Sequence, residues 1–65
     1  MLAAEPNVIL TVAEVAEYLR VDQDIIYRLV HDGDLRAVRI GRAIRIPMQE
    51  VRRYVEDQLA SPGAP

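Results

Sequence analysis

The chain has 65 residues, of which 51% are hydrophobic and 28% charged, and its formal net charge is −2. A chain this short supports one small domain with a thin core. It contains no cysteine and one histidine, which excludes a disulfide framework and argues against a zinc site. No apolar run approaches the roughly 20 residues that cross a bilayer, and the first residues lack the pattern of a signal peptide. We therefore expect an intracellular protein without a membrane segment.

Charge is distributed unevenly along the chain. Residues 1–35 carry seven acids against two arginines, a balance of −5, whereas residues 36–53 carry six arginines against one acid, a balance of +5. A local basic segment can bind an anion whatever the distant acids sum to. The net charge therefore does not exclude a nucleic-acid partner, although the acids are expected to hold non-specific affinity low.

The first half of the chain predicts two short helices. Residues 1–9 show no periodic pattern, and we expect a flexible arm there. Thr11 and Glu14 have the spacing of a capping box, which predicts a helix of about 8–9 residues beginning after Thr11. Asp22 is the expected N-cap of a second helix, and Gly33 is the expected residue at its end. Because only residues 20–22 separate the two helices, they must meet at a sharp angle, which is the helix-turn-helix arrangement. Their predicted inward residues are Val12, Val15, Ala16 and Leu19 in the first helix, and Ile26, Leu29 and Val30 in the second.

Alternating apolar residues on both sides of Gly41 and Arg42 predict a two-stranded hairpin. We expect Val38 and Ile40 to share one buried face with Ile44 and Ile46. Opposite residues share a face, so this pairing requires a three-residue loop over residues 41–43. It would also place Arg39 directly opposite Arg45 on the exposed face. Like charges opposed across two strands are destabilising, and an anionic partner would relieve that cost.

A third helix is predicted to begin at Pro47, because proline suits the first helical position. Arg52 and Arg53 precede Glu56 and Asp57 by four residues, a spacing typical of ion pairs on a helix surface. We expect residues 60–65 to form a disordered tail. Met48, Val51, Tyr54 or Val55, and Leu59 are the predicted buried positions of this helix. The expected fold is mainly α with a small β-hairpin, a winged helix-turn-helix domain over residues 10–59.

The outward face of the second helix and the hairpin arginines are the candidate DNA contacts. An exposed helix fits the major groove, where glutamine pairs with adenine, arginine with guanine and aspartate with cytosine. Such residues are also common on solvent-exposed helix faces, so the prediction of DNA binding depends on the hairpin arginines. Acids within the chain could neutralise those arginines instead. The candidate contacts are Gln23, Asp24, Tyr27, Arg28 and His31 in the helix, and Arg36, Arg39, Arg42 and Arg45 in the wing.

No pattern in the chain predicts catalysis, a cofactor or a metal. His31 has no cysteine partner, Ser61 lies in the predicted tail, and no glycine-rich phosphate loop is present. Asp22, Asp24 and Asp32 lack the spacing of a calcium loop and are explained as residues at helix ends. We expect a protein without enzymatic activity and without a small-molecule ligand.

Residues 10–51 resemble the small winged helix-turn-helix domains of phage and plasmid excisionases, which are related to the DNA-binding half of MerR-type regulators. Four features carry the resemblance: Leu10-Thr11 with Glu14-Val15-Ala16, then Tyr27-Arg28, then Gly33 with Leu35, and the run Val38-Arg39-Ile40-Gly41-Arg42 followed by Arg45-Ile46-Pro47. The resemblance implies that the second helix enters the major groove of double-stranded DNA while the wing touches the backbone or the minor groove. It also implies an architectural factor for recombination, acting with an integrase or with further copies of itself in the cytoplasm or nucleoid of a bacterium.

Two other functions are compatible with the same residues. A minimal transcriptional regulator would use the same surface, and the residues do not separate it from an excisionase. A protein-interaction module would instead bind a basic partner through the acids of the first two helices and use the wing only as structure. DNA binding through arginines depends steeply on salt, which distinguishes this last function from the others.

Overall fold

The computed structural model describes residues 8–60 and shows three helices and a small sheet. The three strands form one antiparallel sheet in the order β1-β3-β2. This confirms the predicted winged helix-turn-helix, mainly helical with a β-hairpin. Apart from residues 8, 9 and 60, the predicted arm and tail lie outside the described residues. The elements are β1 (Ile9–Thr11), α1 (Val12–Leu19), α2 (Gln23–Asp32), β2 (Val38–Ile40), β3 (Ala43–Pro47) and α3 (Met48–Ala60).

The core is thin, as the length of the chain requires. Both helices of the helix-turn-helix, the link between α2 and β2, strand β3 and helix α3 each supply buried side chains to it. Leu35, in the link, is 1% exposed, and its backbone N–H donates a hydrogen bond of 3.1 Å to the carbonyl of Leu29 in α2. The buried residues are Val12, Val15, Ala16, Ile26, Leu35, Ile46 and Val51.

Strand β1 was not expected, because we assigned residues up to 9 to a flexible arm. Ile9 pairs with Pro47 and Leu10 pairs with Ile46. The carbonyl of Val8 also accepts a hydrogen bond of 2.8 Å from the backbone N–H of Met48, which ties β1 to the start of α3. Three residues are too few to show an alternating pattern, so only the pairing with β3 identifies this strand.

The predicted register of the hairpin was wrong. The loop contains two residues, Gly41 and Arg42, and Ile40 pairs with Ala43. Gly41 has φ +61, whereas Arg42 is not among the residues with positive φ, which is the pattern of a type II′ turn. Glycine at the first loop position suits this turn, and its twist matches that of the strands. The turn therefore sets the register.

Two consequences follow from the observed register. Arg39 pairs with Ile44, and Arg45 pairs with Val38, so the two arginines lie on opposite faces of the sheet and do not oppose each other. Val38 and Ile40 are 45% and 62% exposed rather than buried. Leu10 on β1, instead of a residue of β2, is the partner of buried Ile46.

Helix α3 differs from its prediction at both ends. Pro47 is the last residue of β3, and the helix begins at Met48. Val51 is buried, and Met48 and Tyr54 pack against the core, but Leu59 is 81% exposed because the last turn of α3 extends beyond the core. Among residues 8–60 the sole contact within 4 Å between a basic side-chain nitrogen and a carboxylate oxygen joins His31 and Asp32. The ion pairs that we expected on α3 are therefore not formed.

The N-terminus of α1 has the predicted capping box. The Thr11 hydroxyl accepts a hydrogen bond from the Glu14 N–H at 3.1 Å, and the Glu14 carboxylate accepts one from the Thr11 N–H at 2.9 Å. Asp22 occupies the corresponding position of α2, but its side chain makes no capping hydrogen bond. The two helices have similar sequence signals at their N-termini, but only α1 is capped by side-chain hydrogen bonds.

This difference gives a matched pair of variants. Thr11→Ala is expected to lower the free energy of unfolding by about 0.5–2 kcal/mol, the usual cost of losing a capping side chain. Asp22→Ala should change it by less, since no side-chain hydrogen bond is lost. Urea denaturation followed by circular dichroism measures both, and equal losses would contradict the capping geometry described here.

The C-termini of α1 and α2 adopt the same turn with different residues. Gly33 ends α2 at φ +84, and its N–H donates to Val30 while that of Asp34 donates to Leu29, a Schellman motif. Arg20 ends α1 at φ +60, with the same bonds from Arg20 to Glu17 and from Val21 to Ala16. An arginine thus occupies a left-handed position that favours glycine.

Arg20→Gly is expected to raise the free energy of unfolding by about 0.5–1 kcal/mol. The left-handed conformation costs a residue with a Cβ about 1–2 kcal/mol, and the freedom of glycine in the unfolded chain offsets part of the gain. Gly33→Ala is the control: its added Cβ meets no atom within 4 Å, so any loss of stability reports the strain at positive φ alone. Thermal unfolding of both variants checks the pair, and a loss in Arg20→Gly would contradict this account.

Candidate nucleic-acid interface

The outward face of α2 carries all five helix residues that the sequence predicted. Ile26 is fully buried and fixes which side of the helix faces the core. The remaining sides are solvent-exposed, and the His31 side chain is 89% exposed. The exposed candidates are Gln23, Asp24, Tyr27, Arg28 and His31. Their placement follows from helical periodicity once Ile26 is inside.

The wing carries three arginines in different settings. Arg42 lies in the turn and is exposed, and Arg39 is exposed on β2. Arg45 is partly buried, and its Nη1 donates a hydrogen bond of 2.9 Å to the carbonyl of Ile44. This bond holds the Arg45 guanidinium close to its own strand, whereas Arg42 projects at the tip of the hairpin.

Helix α2 and the wing lie on either side of an open cleft, which no local sequence pattern predicts. Gln23 and Tyr27 line it from α2, and Arg42 and Arg45 line it from the wing. We call this feature the helix–wing cleft. The start of α1 completes it with Thr11, Val12 and Ala13, and Ala43 and Ile44 also line it.

The five remaining predicted contacts lie outside the helix–wing cleft. Asp24, Arg28 and His31 lie on the exposed side of α2. Arg39 lies on the opposite face of the sheet from Arg45. The expected repulsion between Arg39 and Arg45 is absent, so the need for an anion no longer rests on it. The inference of an anionic partner rests instead on Arg42 and Arg45, which share the cleft with α2.

Arg36 lies outside the helix–wing cleft. It precedes β2 and lines a groove with residues of α3, several of them acidic. We call this feature the charged groove. Its lining residues are Gly33, Asp34, Arg36, Glu50, Arg53, Tyr54 and Asp57. None of them lines the helix–wing cleft, so the six arginines of residues 36–53 do not form one continuous basic surface.

Residues 11–13 were not among the predicted contacts. The capping box located the start of α1 correctly, but nothing in the local pattern indicates that this helix end lies beside α2 and the wing. The pairing of Thr11 with Arg45 brings them together. Long-range strand pairing is the signal, and it is absent from any short window of sequence.

Within residues 8–60 no group of three or more histidine or acidic side chains is placed to hold a metal ion. No helix in the same part of the chain is long and apolar enough to cross a membrane. The helix–wing cleft itself presents arginine, glutamine and tyrosine side chains, residue types that contact the backbone and bases of nucleic acid.

Residues 9–59 match the model of a protein family described as a helix-turn-helix domain. The chain belongs to this family. It is therefore a DNA-binding helix-turn-helix domain, with α2 as its second helix.

Named relatives agree with this assignment. A Mycobacterium tuberculosis protein named "putative DNA-binding protein" is 46% identical to the helix-turn-helix domain over 55 residues, which cover 85% of this chain and 70% of the relative. A probable excisionase of Saccharopolyspora erythraea is 40% identical over 60 residues, which cover 91% of this chain and 61% of the relative. An excisionase of Streptomyces ambofaciens is 37% identical over 51 residues, which cover 78% of this chain and 82% of the relative. No solved structure matches the chain. The helix-turn-helix domain is thus of excisionase type.

Proposed function

We propose that this protein binds double-stranded DNA sequence-specifically and acts, without enzymatic activity, as an excisionase-like architectural factor in recombination. It would work at the bacterial nucleoid with an integrase or with further copies of itself bound to neighbouring sites. The observation that carries DNA binding is the helix–wing cleft, in which Arg42 and Arg45 lie beside the exposed face of α2. The names of two relatives favour the recombination role.

The geometry suggests a division of labour. With α2 in the major groove and the wing tip over the adjacent groove, the strand that separates the two grooves would pass over the helix–wing cleft. Arg42, Arg45 and Tyr27 would then contact its phosphates and set the position of the domain. Asp24, Arg28 and His31 would face the base edges, where arginine recognises guanine and aspartate accepts a hydrogen bond from cytosine. Arg39 would add a phosphate contact from the far face of the wing.

Selection from a random duplex library at moderate salt tests this proposal. We expect enrichment of a defined sequence. If Arg39, Arg42 and Arg45 contact phosphates, the plot of log K against log salt should have a slope of about −3, since each contact contributes roughly −0.9. The absence of duplex binding even at low salt would contradict the proposal and favour the protein-interaction module.

Arg28→Ala is expected to weaken binding to the selected sequence by about 1–3 kcal/mol and to relax the preference at one base pair. Arg28 lies on α2 and outside the helix–wing cleft, so the salt slope should change little. A second selection with the variant measures the relaxed position. An unchanged preference at every position would remove Arg28 from base recognition.

A second function, minimal transcriptional regulation, fits the same DNA-binding surface. The Mycobacterium tuberculosis relative, at 46% identity, is named only as a DNA-binding protein and not as an excisionase. The same surface would serve both functions. Reconstituted excision with the integrase encoded nearest to this chain's gene separates them: stimulation of excision supports the architectural role, and repression of a promoter without such stimulation supports the regulator.

A further inference from the structure

An apolar groove lies between the end of α1 and the outer side of α3. It measures about 440 Å³ and is lined by Tyr18, Leu19, Arg20, Arg52, Val55 and Glu56. We call it the α1–α3 groove. None of these residues lines the helix–wing cleft, so the groove can be occupied while DNA is bound.

The apolar character of this region extends along α3. Tyr18 is 57% exposed at the groove, and Leu59 is 81% exposed. Leu59 follows Val55 by one helical turn and therefore lies on the same face of α3. Large apolar side chains exposed together on a small domain mark an interaction surface more often than scattered single ones do.

The two arginines of the groove indicate the charge of its occupant. Neither Arg20 nor Arg52 lies within 4 Å of a carboxylate among residues 8–60. Arg52 does not pair even with Glu56, which follows it by one turn and lines the same groove. With one acid against two arginines, the lining carries a charge of +1 and fits an acidic partner.

Arg20 adds an independent observation. It adopts φ +60 at the C-terminus of α1, where glycine would be less strained. Residues in sparsely populated backbone conformations cluster at sites where their side chains have a role. Here the residue in such a conformation has its side chain in the lining of the groove.

We propose that the α1–α3 groove docks an amphipathic helix of a partner protein. Apolar side chains of that helix pack on Tyr18, Val55 and Leu59, and its carboxylates pair with Arg20 and Arg52. The acidic flank distinguishes this occupant from a purely apolar one. The proposal does not require DNA binding, because the groove and the helix–wing cleft share no residue.

The test uses the full chain labelled with ¹⁵N and two synthetic peptides. Both peptides are helical with a leucine stripe, and the stripe is flanked by glutamates in one and by lysines in the other. We expect the glutamate peptide to shift the backbone amides of Tyr18, Leu19 and Val55 and to bind at least about tenfold more tightly than the lysine peptide, as charge complementarity predicts. Equal affinities, or no shift at those amides, would overturn the proposal.

Charge reversal supplies the matched control. Arg52→Glu should reverse the order of the two peptides, whereas Arg53→Glu should leave it unchanged, since Arg53 is on the same helix but lines the charged groove instead. Both variants should retain the wild-type thermal unfolding curve. Equal effects of the two reversals would show that the peptides respond to the total charge of α3, and would contradict a specific site.

Two other occupants are outcomes of the same study. If sedimentation shows a dimer of the free chain that Leu59→Asp dissociates, the groove is an interface between copies and the proposal fails. If Leu2→Asp raises the affinity for the glutamate peptide, the N-terminal segment of the chain competes for the groove, and the proposal fails in that form too. A monomer with unchanged affinity in Leu2→Asp supports it.

Discussion

The double variant Arg42→Ala, Arg45→Ala is expected to bind duplex DNA about 30-fold more weakly than the wild-type chain at about 0.15 M salt. Each phosphate contact contributes roughly 0.9 to the exponent of salt concentration, so at this salt one contact is worth about fivefold and two are worth about 30-fold. The slope of log K against log salt should become shallower by about 2 for the same reason. Fluorescence anisotropy with a labelled duplex at several salt concentrations measures both quantities.

The structure offers a control with the same change of net charge. Arg36 and Arg53 line the charged groove beside Glu50 and Asp57, away from the helix–wing cleft. The double variant Arg36→Ala, Arg53→Ala should therefore lower affinity by less than about threefold, which is the size of a long-range effect screened by salt. If this control loses as much affinity as the cleft variant, binding follows total charge, and the proposed role of the cleft is contradicted.

Ile46→Ala is expected to leave most of the population unfolded or close to unfolding. Ile46 is fully buried on β3, and it pairs with Leu10 on β1. This pair is part of the ladder that joins β1 to the wing. Removing a buried isoleucine side chain costs about 2–5 kcal/mol, and domains of this size have roughly 3–10 kcal/mol of total stability. Urea denaturation of the wild type and the variant, followed by circular dichroism, measures the loss.

Ile40→Ala is the matched control on the same hairpin. Ile40 is 62% exposed on β2, so the substitution leaves no cavity and should change stability by less than about 0.5 kcal/mol. The pair also tests the register directly. If Ile40→Ala is as damaging as Ile46→Ala, Ile40 is buried, and the three-residue loop expected from the alternating pattern is the correct one.

The placement of the arginines explains how a DNA-binding domain can have a net charge of −2. Arg42 and Arg45 face the helix–wing cleft, whereas Arg36 and Arg53 lie beside acids in the charged groove. The arginines of the basic segment are therefore divided among separate surfaces, and only Arg42 and Arg45 line the cleft beside α2. Asp24 adds a negative charge to the exposed face of α2. We accordingly expect weak non-specific binding and a dependence on base contacts, neighbouring copies or a partner protein.

Local signals in the sequence determined the start of α1 and the end of α2. The capping box of Thr11 and Glu14 and the glycine at position 33 each predicted a helix boundary that the structure confirms. Periodicity around Ile26 likewise identified the outward face of α2. These features depend on residues three or four positions apart, so the interactions that decide them lie within one short window of sequence.

Only the tertiary structure decided the sheet and the grouping of the arginines. Strand β1 exists because Leu10 meets Ile46, and the hairpin register follows from the backbone of Gly41 rather than from burial of Ile40. Leu59 is exposed because the last turn of α3 extends beyond the core that residues 8–60 form. Each of these outcomes depends on residues far apart in the chain or on a choice between competing local preferences. A sequence pattern states such preferences, but packing in three dimensions determines which one prevails.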